Sequence, residues 1–146
     1  MKAILVDNNR NLVWAEVEKP TPKADEILIE IYAAALNRAD LLQRKGAYPS
    51  PAGWPDWMGL EVSGIIVDMG STAKDNSSFS IGDKVCALLG GGGYAEYVCA
   101  PYGMVMPIPE GLSFVEAASL PESYATSYLN LFYEGHLQAC QTAFIP

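Results

Sequence analysis

Glu26-Ile27-Leu28-Ile29-Glu30-Ile31-Tyr32-Ala33-Ala34-Ala35 is the longest strand signal in the chain. Its apolar residues fall on both faces, the pattern of a strand covered from both sides, so it is expected at the centre of the fold. Just before it, Lys19-Pro20-Thr21-Pro22-Lys23 cannot lie inside a sheet, because each proline lacks the N–H that a ladder needs. Further upstream, Lys2 to Val6 and Leu12 to Val17 read as two strands joined by a turn at Asp7-Asn8-Asn9, which predicts a hairpin.

Downstream of the central strand, Asn37-Arg38-Ala39-Asp40 opens a short helix. Asn37 is a good N-cap, and the charge of Asp40 suits the positive helix start. Arg44 and Lys45 suit the helix end, and Gly46 closes it. Tyr48 to Trp57 holds three prolines and two tryptophans, the composition of an ordered loop. Gly59 to Met69 is a strand interrupted at Gly64, which predicts a bulge or a tight barrel corner. Ser71 to Ser80 reads as polar loop. Lys84 to Leu89 and Tyr94 to Ala100 read as strands separated by the glycine run Gly90 to Gly93, and Met104 to Ile108 as a short extended piece. Ser113-Phe114-Val115-Glu116 is a capping box, opening a helix that runs to about Ser119 and is stopped by Pro121. Ser123 to Glu134 gives a second helix, closed by Gly135. Many short strands, frequent Gly/Pro turns and two late helices predict a mainly β (α+β) fold: a distorted antiparallel β-barrel with short helices.

The closing residues, Gln141-Thr142-Ala143-Phe144-Ile145-Pro146, read as the opening of a further buried strand. The expectation is one domain at 1–122, followed by a connecting helix and the first strand of a second unit at 123–146.

Half of the 146 residues are apolar and 18% are charged, an ordinary balance for a folded domain. A net charge of −8 repels phosphate backbones, so nucleic acid is not an expected partner. No segment reaches the ~18 apolar residues of a spanning helix, so no membrane partner is expected either. The N-terminal apolar run is too short for a signal peptide, being ended by Asp7-Asn8-Asn9. Cys86, Cys99 and Cys140 form no paired framework, which points to reduced thiols and a cytoplasmic protein.

The order of motifs is distinctive. Ala35-Leu36-Asn37-Arg38-Ala39-Asp40 is followed by Gly46-Ala47-Tyr48-Pro49 and Gly59-Leu60-Glu61-Val62-Ser63-Gly64. Then come Ile81-Gly82-Asp83-Lys84-Val85 and Gly92-Gly93-Tyr94-Ala95-Glu96-Tyr97, and last Pro109-Glu110-Gly111-Leu112 and Ala117-Ala118-Ser119-Leu120-Pro121. This series resembles the N-terminal, GroES-like domain of the medium-chain dehydrogenase/reductase superfamily, in its zinc-independent NADPH:quinone oxidoreductase (zeta-crystallin-like) branch. The resemblance covers essentially the whole chain. It implies a GroES-like barrel at 1–122 and, at 123–146, the first elements of a truncated nucleotide-binding Rossmann domain. In that family a Gly-rich turn that cradles the cofactor pyrophosphate would come next. Gly90 to Gly93 is not a substitute, since no helix start follows it.

Zinc-dependent relatives bind their catalytic metal through a Cys and a His in the equivalent motifs. Here those positions read Asn37 and Leu60, neither of them a plausible zinc ligand, and no C-x-x-C is present. No metal is expected. NADPH is the implied cofactor, and a quinone or another activated alkene the implied substrate. Hydride transfer without metal mainly requires positioning and exclusion of water. By resemblance, Asn37 lies beside the nicotinamide ribose and the substrate, an assignment to both catalysis and cofactor binding that competes with its capping role. Tyr48 is expected to border the quinone pocket as a second catalytic residue, against the alternative of a loop aromatic packed among Pro49, Pro51 and Trp54. Thr126 approaches the nicotinamide as a cofactor-binding residue, against the alternative of a helix threonine bonded to its own backbone. Asp40 and Glu61 are weaker candidates, the first explained by capping and the second by a buried structural role.

Two rivals stand beside this reading. One is a stand-alone binding or oligomerisation module without turnover, and the other a fragment of an enoyl thioester reductase. Tyr124, Tyr128, Leu129, Leu131 and Phe132 make a helix apolar on too many sides for free exposure, so a homo-oligomer formed through the C-terminal segment is expected.

Overall fold

Two neighbouring strands carry the architecture. The computed structural model describes residues 1–145; Pro146, the last residue of the expected terminal strand, lies outside the described residues. Strand β3 (Glu26–Ala34) pairs antiparallel with β4 (Glu61–Met69) on one side and with β6 (Tyr97–Pro101) on the other. Strand β4 then pairs with β5 (Lys84–Leu88), and β5 with β7 (Val105–Pro107), giving one antiparallel sheet in the order β6-β3-β4-β5-β7. The central place expected for β3 is the observed one. Ile27, Leu28 and Ile29 are buried in succession, which a strand achieves only when both faces are covered. These residues join Val62, Ile66, Val85, Val98 and Ala100 in the core.

The hairpin of β1 (Lys2–Val6) and β2 (Leu12–Glu16) is also present. Its turn is held by Asp7, whose Oδ1 accepts the N–H groups of Asn9 and Asn11 at 2.8 and 2.7 Å. The hairpin joins the main sheet where Ile4 N–H donates to the Tyr94 carbonyl at 2.8 Å.

Gly64 explains how β3 and β4 stay together while the sheet bends. The pairing register slips between Leu28 and Ile29 and again between Ile31 and Ala33, the second slip lying beside Gly64. A side chain at 64 would fall on the Glu30 carbonyl oxygen. Only a residue without Cβ lets the two backbones approach at this corner.

Helix α1 (Arg38–Arg44) follows β3, as the capping signals predicted. The polar stretch after β4 differs from expectation, since Ser71–Asn76 forms a short helix, α2. Tertiary anchoring overrides local preference there: Ala73 is fully buried, and its N–H donates to the Ala24 carbonyl at 2.9 Å. Helix α3 (Phe114–Ala117) has the Ser113/Glu116 capping box. It is pinned to the sheet where Ser63 Oγ donates to the Phe114 carbonyl at 2.5 Å and Tyr32 stacks on the Phe114 ring.

Helix α4 spans Pro121–Tyr128 and continues as a π-helical turn over Leu129–Glu134. Pro121 therefore starts a helix instead of only stopping one. At the first helical position its missing N–H has no intrahelical partner to lose. Among the described residues, 141–145 pair with no strand, in contrast to the expected terminal strand. A strand needs a neighbour to take its N–H and C=O groups, and this segment has none, leaving Phe144 and Ile145 exposed.

Replacing Gly64 by Ala is expected to destabilise the fold by about 3 kcal/mol, because backbone must move to admit the methyl group. Urea unfolding measures this, and a variant as stable as the parent contradicts the corner described above.

Candidate functional site

The site grows from the place where β3 gives way to α1, beside the first residue of β4. Asn37 occupies the N-cap of α1 with extended backbone, in a capping-box arrangement with Asp40. Asp40 Oδ2 accepts the Asn37 N–H at 2.6 Å. The Asn37 side-chain amide nitrogen donates to Glu61 Oε1 at 2.9 Å. Glu61 opens β4 and has no accessible surface. Its other oxygen, Oε2, accepts the backbone N–H of Glu122 at 2.8 Å, in the first turn of α4. One buried carboxylate thus joins three elements. Among the described residues, neither ion pair includes Glu61. Its charge is met by two donors and by the positive start of α4.

A second layer lies beneath Asp40. Tyr94 Oη donates to Asp40 Oδ2 at 2.8 Å, with the Ala35 carbonyl 3.3 Å away. Burial and then the bond to Asp40 raise the Tyr94 phenol above its ordinary range, so it stays a donor through neutral pH. Gly59 makes this approach possible. It has a φ of +108°, and a Cβ there would lie 2.5 Å from the Tyr94 nitrogen. Gln43 Nε2 donates to Ser50 Oγ at 2.7 Å and ties the loop carrying Tyr48 to α1.

Beside this polar frame runs an apolar groove of about 790 Å³. Met106, Pro107 and Leu112 form one wall, and Tyr124, Tyr128 and Tyr133 the other. A smaller cavity of about 370 Å³ lies along β6, the opposite edge of the sheet, against Trp54, Trp57 and Tyr97. Its tryptophans are structural: Trp54 packs on the core, and Trp57 Nε1 donates to the Gly92 carbonyl at 3.1 Å. Neither internal cysteine offers a thiolate. Burial pushes the Cys86 thiol up, and burial followed by Glu26 pushes Cys99 up to about 12. Among the described residues, no group of three or more His, Cys, Asp or Glu side chains is placed to hold a metal ion.

Residues 23–110 match the family model of the alcohol dehydrogenase GroES-like domain. The chain belongs to that family. It is 38% identical over 130 residues to the zebrafish (Danio rerio) synaptic vesicle membrane protein VAT-1 homolog, covering 87% of this chain and 26% of the relative. It is 32% identical over 132 residues to mouse (Mus musculus) quinone oxidoreductase, covering 90% and 39%. Among solved structures, the human VAT-1 homolog-like protein superposes with a TM-score of 0.84 at 33% identity, over 94% of this chain and 45% of that one. The quinone oxidoreductase of Thermus thermophilus, solved also with NADPH, gives 0.75 at 32% identity over 94% and 42%. The CurK enoyl reductase gives 0.78 at 27% identity over 90% and 42%. The chain spans less than half the length of each of these proteins. The resemblance read from the ordered motifs and the GroES-like β architecture both hold, the latter with a curled sheet and short helices.

The sequence-predicted residues do not all converge. Asn37 is half-buried at the centre of the frame. Thr126 joins it through one further link, Thr126 Oγ1 lying 3.4 Å from Glu122 Oε1. It stands on the flank of α4, while Tyr124, Ala125 and Tyr128 face the groove. Tyr48 is 43% exposed and lines neither of the two cavities described. Glu61 ranked low in the sequence and is the hub of the structure. Tyr94 and Glu122 were not singled out at all. Tyr94 lies within the quoted Gly92-to-Tyr97 motif, but its 54-residue separation from Asp40 hides the bond.

Substituting Tyr94 by Phe removes one donor from Asp40, whose Oδ1 is already buried without a partner, and is expected to cost about 2 kcal/mol at neutral pH. The raised phenol implies a pH effect of definite sign. Above the unfolded tyrosine value of about 10, the unfolded chain loses a proton that the folded one keeps, so stability falls as pH rises. Urea midpoints between about pH 8 and 11 are expected to show a steeper alkaline loss in the parent than in Tyr94→Phe. Equal slopes contradict the assignment.

Proposed function

We propose that this chain is the GroES-like half of a zinc-free, NADPH-dependent quinone oxidoreductase, acting on a quinone or another electron-poor alkene. The observation that carries the proposal is the Asn37–Glu61 pair. Both Glu61 oxygens are committed to hydrogen bonds, Asn37 turns an amide nitrogen toward them, and Leu60 is buried and apolar. That set offers no tetrahedral arrangement of N, S or O ligands, so it does not fit a zinc ion. What it offers is a rigid polar edge next to an apolar groove, the combination that orients a flat ring.

The residues present fit the reduced nicotinamide end of NADPH. When bound, that group supplies the hydride. The tasks left to this chain are orientation and exclusion of water. Asn37 keeps an amide hydrogen and carbonyl lone pairs for a ribose hydroxyl or carboxamide. The Thr126 hydroxyl, exposed and only loosely bonded at 3.4 Å, adds an adaptable donor and acceptor. The tyrosine-lined groove suits an aromatic acceptor. Tyr48 is assigned to the quinone site by family resemblance alone, since it is exposed and lines neither cavity. The division at 1–122 and 123–146 follows the same reading, with α4 as the connector toward a nucleotide-binding unit. A cytoplasmic location is proposed from the free cysteines Cys86, Cys99 and Cys140; among the described residues no helix is long and apolar enough to cross a membrane.

One observation favours a second reading. The groove of about 790 Å³ has an apolar lining, and the CurK enoyl reductase shares the fold at 27% identity, so an enoyl thioester is the competing substrate class.

The test is NADPH oxidation, followed by the loss of its near-ultraviolet absorbance, by the protein made from its complete natural reading frame, with a quinone and with an enoyl thioester. Quinone-dependent oxidation is expected, with kcat/KM lowered about tenfold or more in Asn37→Ala. Turnover with the thioester alone selects the second reading. No NADPH binding and no turnover rejects both and leaves a binding module.

The same reading holds that the isolated 146-residue chain self-associates through α4 and the following turn, where Tyr124, Tyr128 and Tyr133 are exposed. Light scattering is expected to report a mass above 15.7 kDa that rises with concentration. A monodisperse monomer at high concentration overturns it.

A further inference from the structure

We propose that Glu61 is a positioning residue, a buried carboxylate that holds the start of α4 and the Asn37 amide in one fixed relation. The geometry is a fork. Oε1 takes the Asn37 amide at 2.9 Å and Oε2 takes the Glu122 N–H at 2.8 Å, across sequence separations of 24 and 61 residues. Glu61 is fully buried in β4, where its neighbours Val62 and Ser63 are also fully buried, so its backbone cannot drift. The carboxylate therefore links the sheet by hydrogen bonds to the Asn37 amide and to the first turn of α4, which also packs against β4 and β5.

Two consequences follow from donor and acceptor chemistry. First, the Asn37 amide has a fixed sense. Turning it over would set its carbonyl oxygen against a carboxylate, two acceptors with no proton between them. Second, the Glu122 N–H is one of the orphan donors of a helix start, and Glu61 supplies its partner. Along α4 the anchored first turn carries Thr126 and the groove-facing Tyr124 and Tyr128. The tether itself does not depend on what the protein turns over. Its importance for cofactor orientation rests on the function proposed above.

The experiment uses amide hydrogen exchange and NMR on Glu61→Met and Glu61→Gln. Methionine fills a similar volume without an acceptor and leaves the Asn37 amide and the Glu122 N–H without their partner. In Glu61→Met, the amides of Glu122 and of Tyr124 to Tyr128 are expected to exchange at least about tenfold faster, while β3 and β4 amides stay within about twofold of the parent. Glu61→Gln has one acceptor and one donor end. It is expected to restore the Glu122 amide only by turning the Asn37 amide over, seen as shifted Asn37 side-chain NH₂ resonances. Unchanged Glu122 exchange in Glu61→Met overturns the proposal. So does a uniform loosening of sheet and α4 in both variants, which marks a merely structural residue. If only Glu61→Met loosens uniformly, Glu61→Gln decides: shifted Asn37 resonances support the tether, and unshifted ones reject it. Altered α4 exchange in a protein that never oxidises NADPH upholds the tether and rejects the functional reading alone.

Discussion

A carboxylate with no accessible surface constrains everything built around it. Removing such a group from water costs several kcal/mol unless its lone pairs are filled. Glu61 is filled by one side-chain amide and one backbone N–H, drawn from the starts of two different helices. The sheet must therefore deliver Glu61 to the junction of β3, α1 and α4. Gly64 serves that end three residues along β4, where backbone meets backbone with no room for a side chain. A local packing requirement and an electrostatic one meet on a single strand.

From that junction the molecule divides into two kinds of surface. One side is polar and rigid, with Asn37, Asp40 and Tyr94 bonded in sequence. The other is the apolar groove between β7 and α4. Neither surface alone says much about chemistry. On the function proposed above, the first surface orients a polar group and the second receives a flat ring, a division that suits positioning without covalent or acid–base steps. The exposed tyrosines of α4 belong to this second surface, and an apolar face of this kind is a surface of contact.

Much of the fold was legible because it rests on local rules. Both-face apolarity marked β3, the paired prolines marked the linker before it, and Ser113 and Glu116 marked the start of α3. Where tertiary contact decided, the reading failed. The Ser71–Asn76 helix exists because Ala73 is buried against Ala24, and no local signal announces that. Pro121 was read as a stop because proline cannot sit inside a helix, yet the same property suits it to begin one. Among the described residues, 141–145 form no strand, although their apolar run reads as one. At the site, Asn37 was found by its motif, but its bond to Glu61 spans 24 residues and that of Glu61 to Glu122 spans 61. Such distances carry no periodicity, so the hub stayed hidden while its more conspicuous neighbour was named.

On the proposed function, the working face lies at the Asn37–Glu61–α4 junction and not at the aromatic cavity along β6. The most direct measurement is amide chemical-shift mapping of the isotope-labelled protein, made from its complete natural reading frame, as NADPH is added and then a quinone. The expected result is a contiguous set of shifts at Asn37, Glu61, Glu122 and Thr126, extending along the groove to Tyr124 and Met106 once the quinone is present. Shifts confined to Trp54, Trp57, Tyr97 and Cys99, with the junction silent, contradict it.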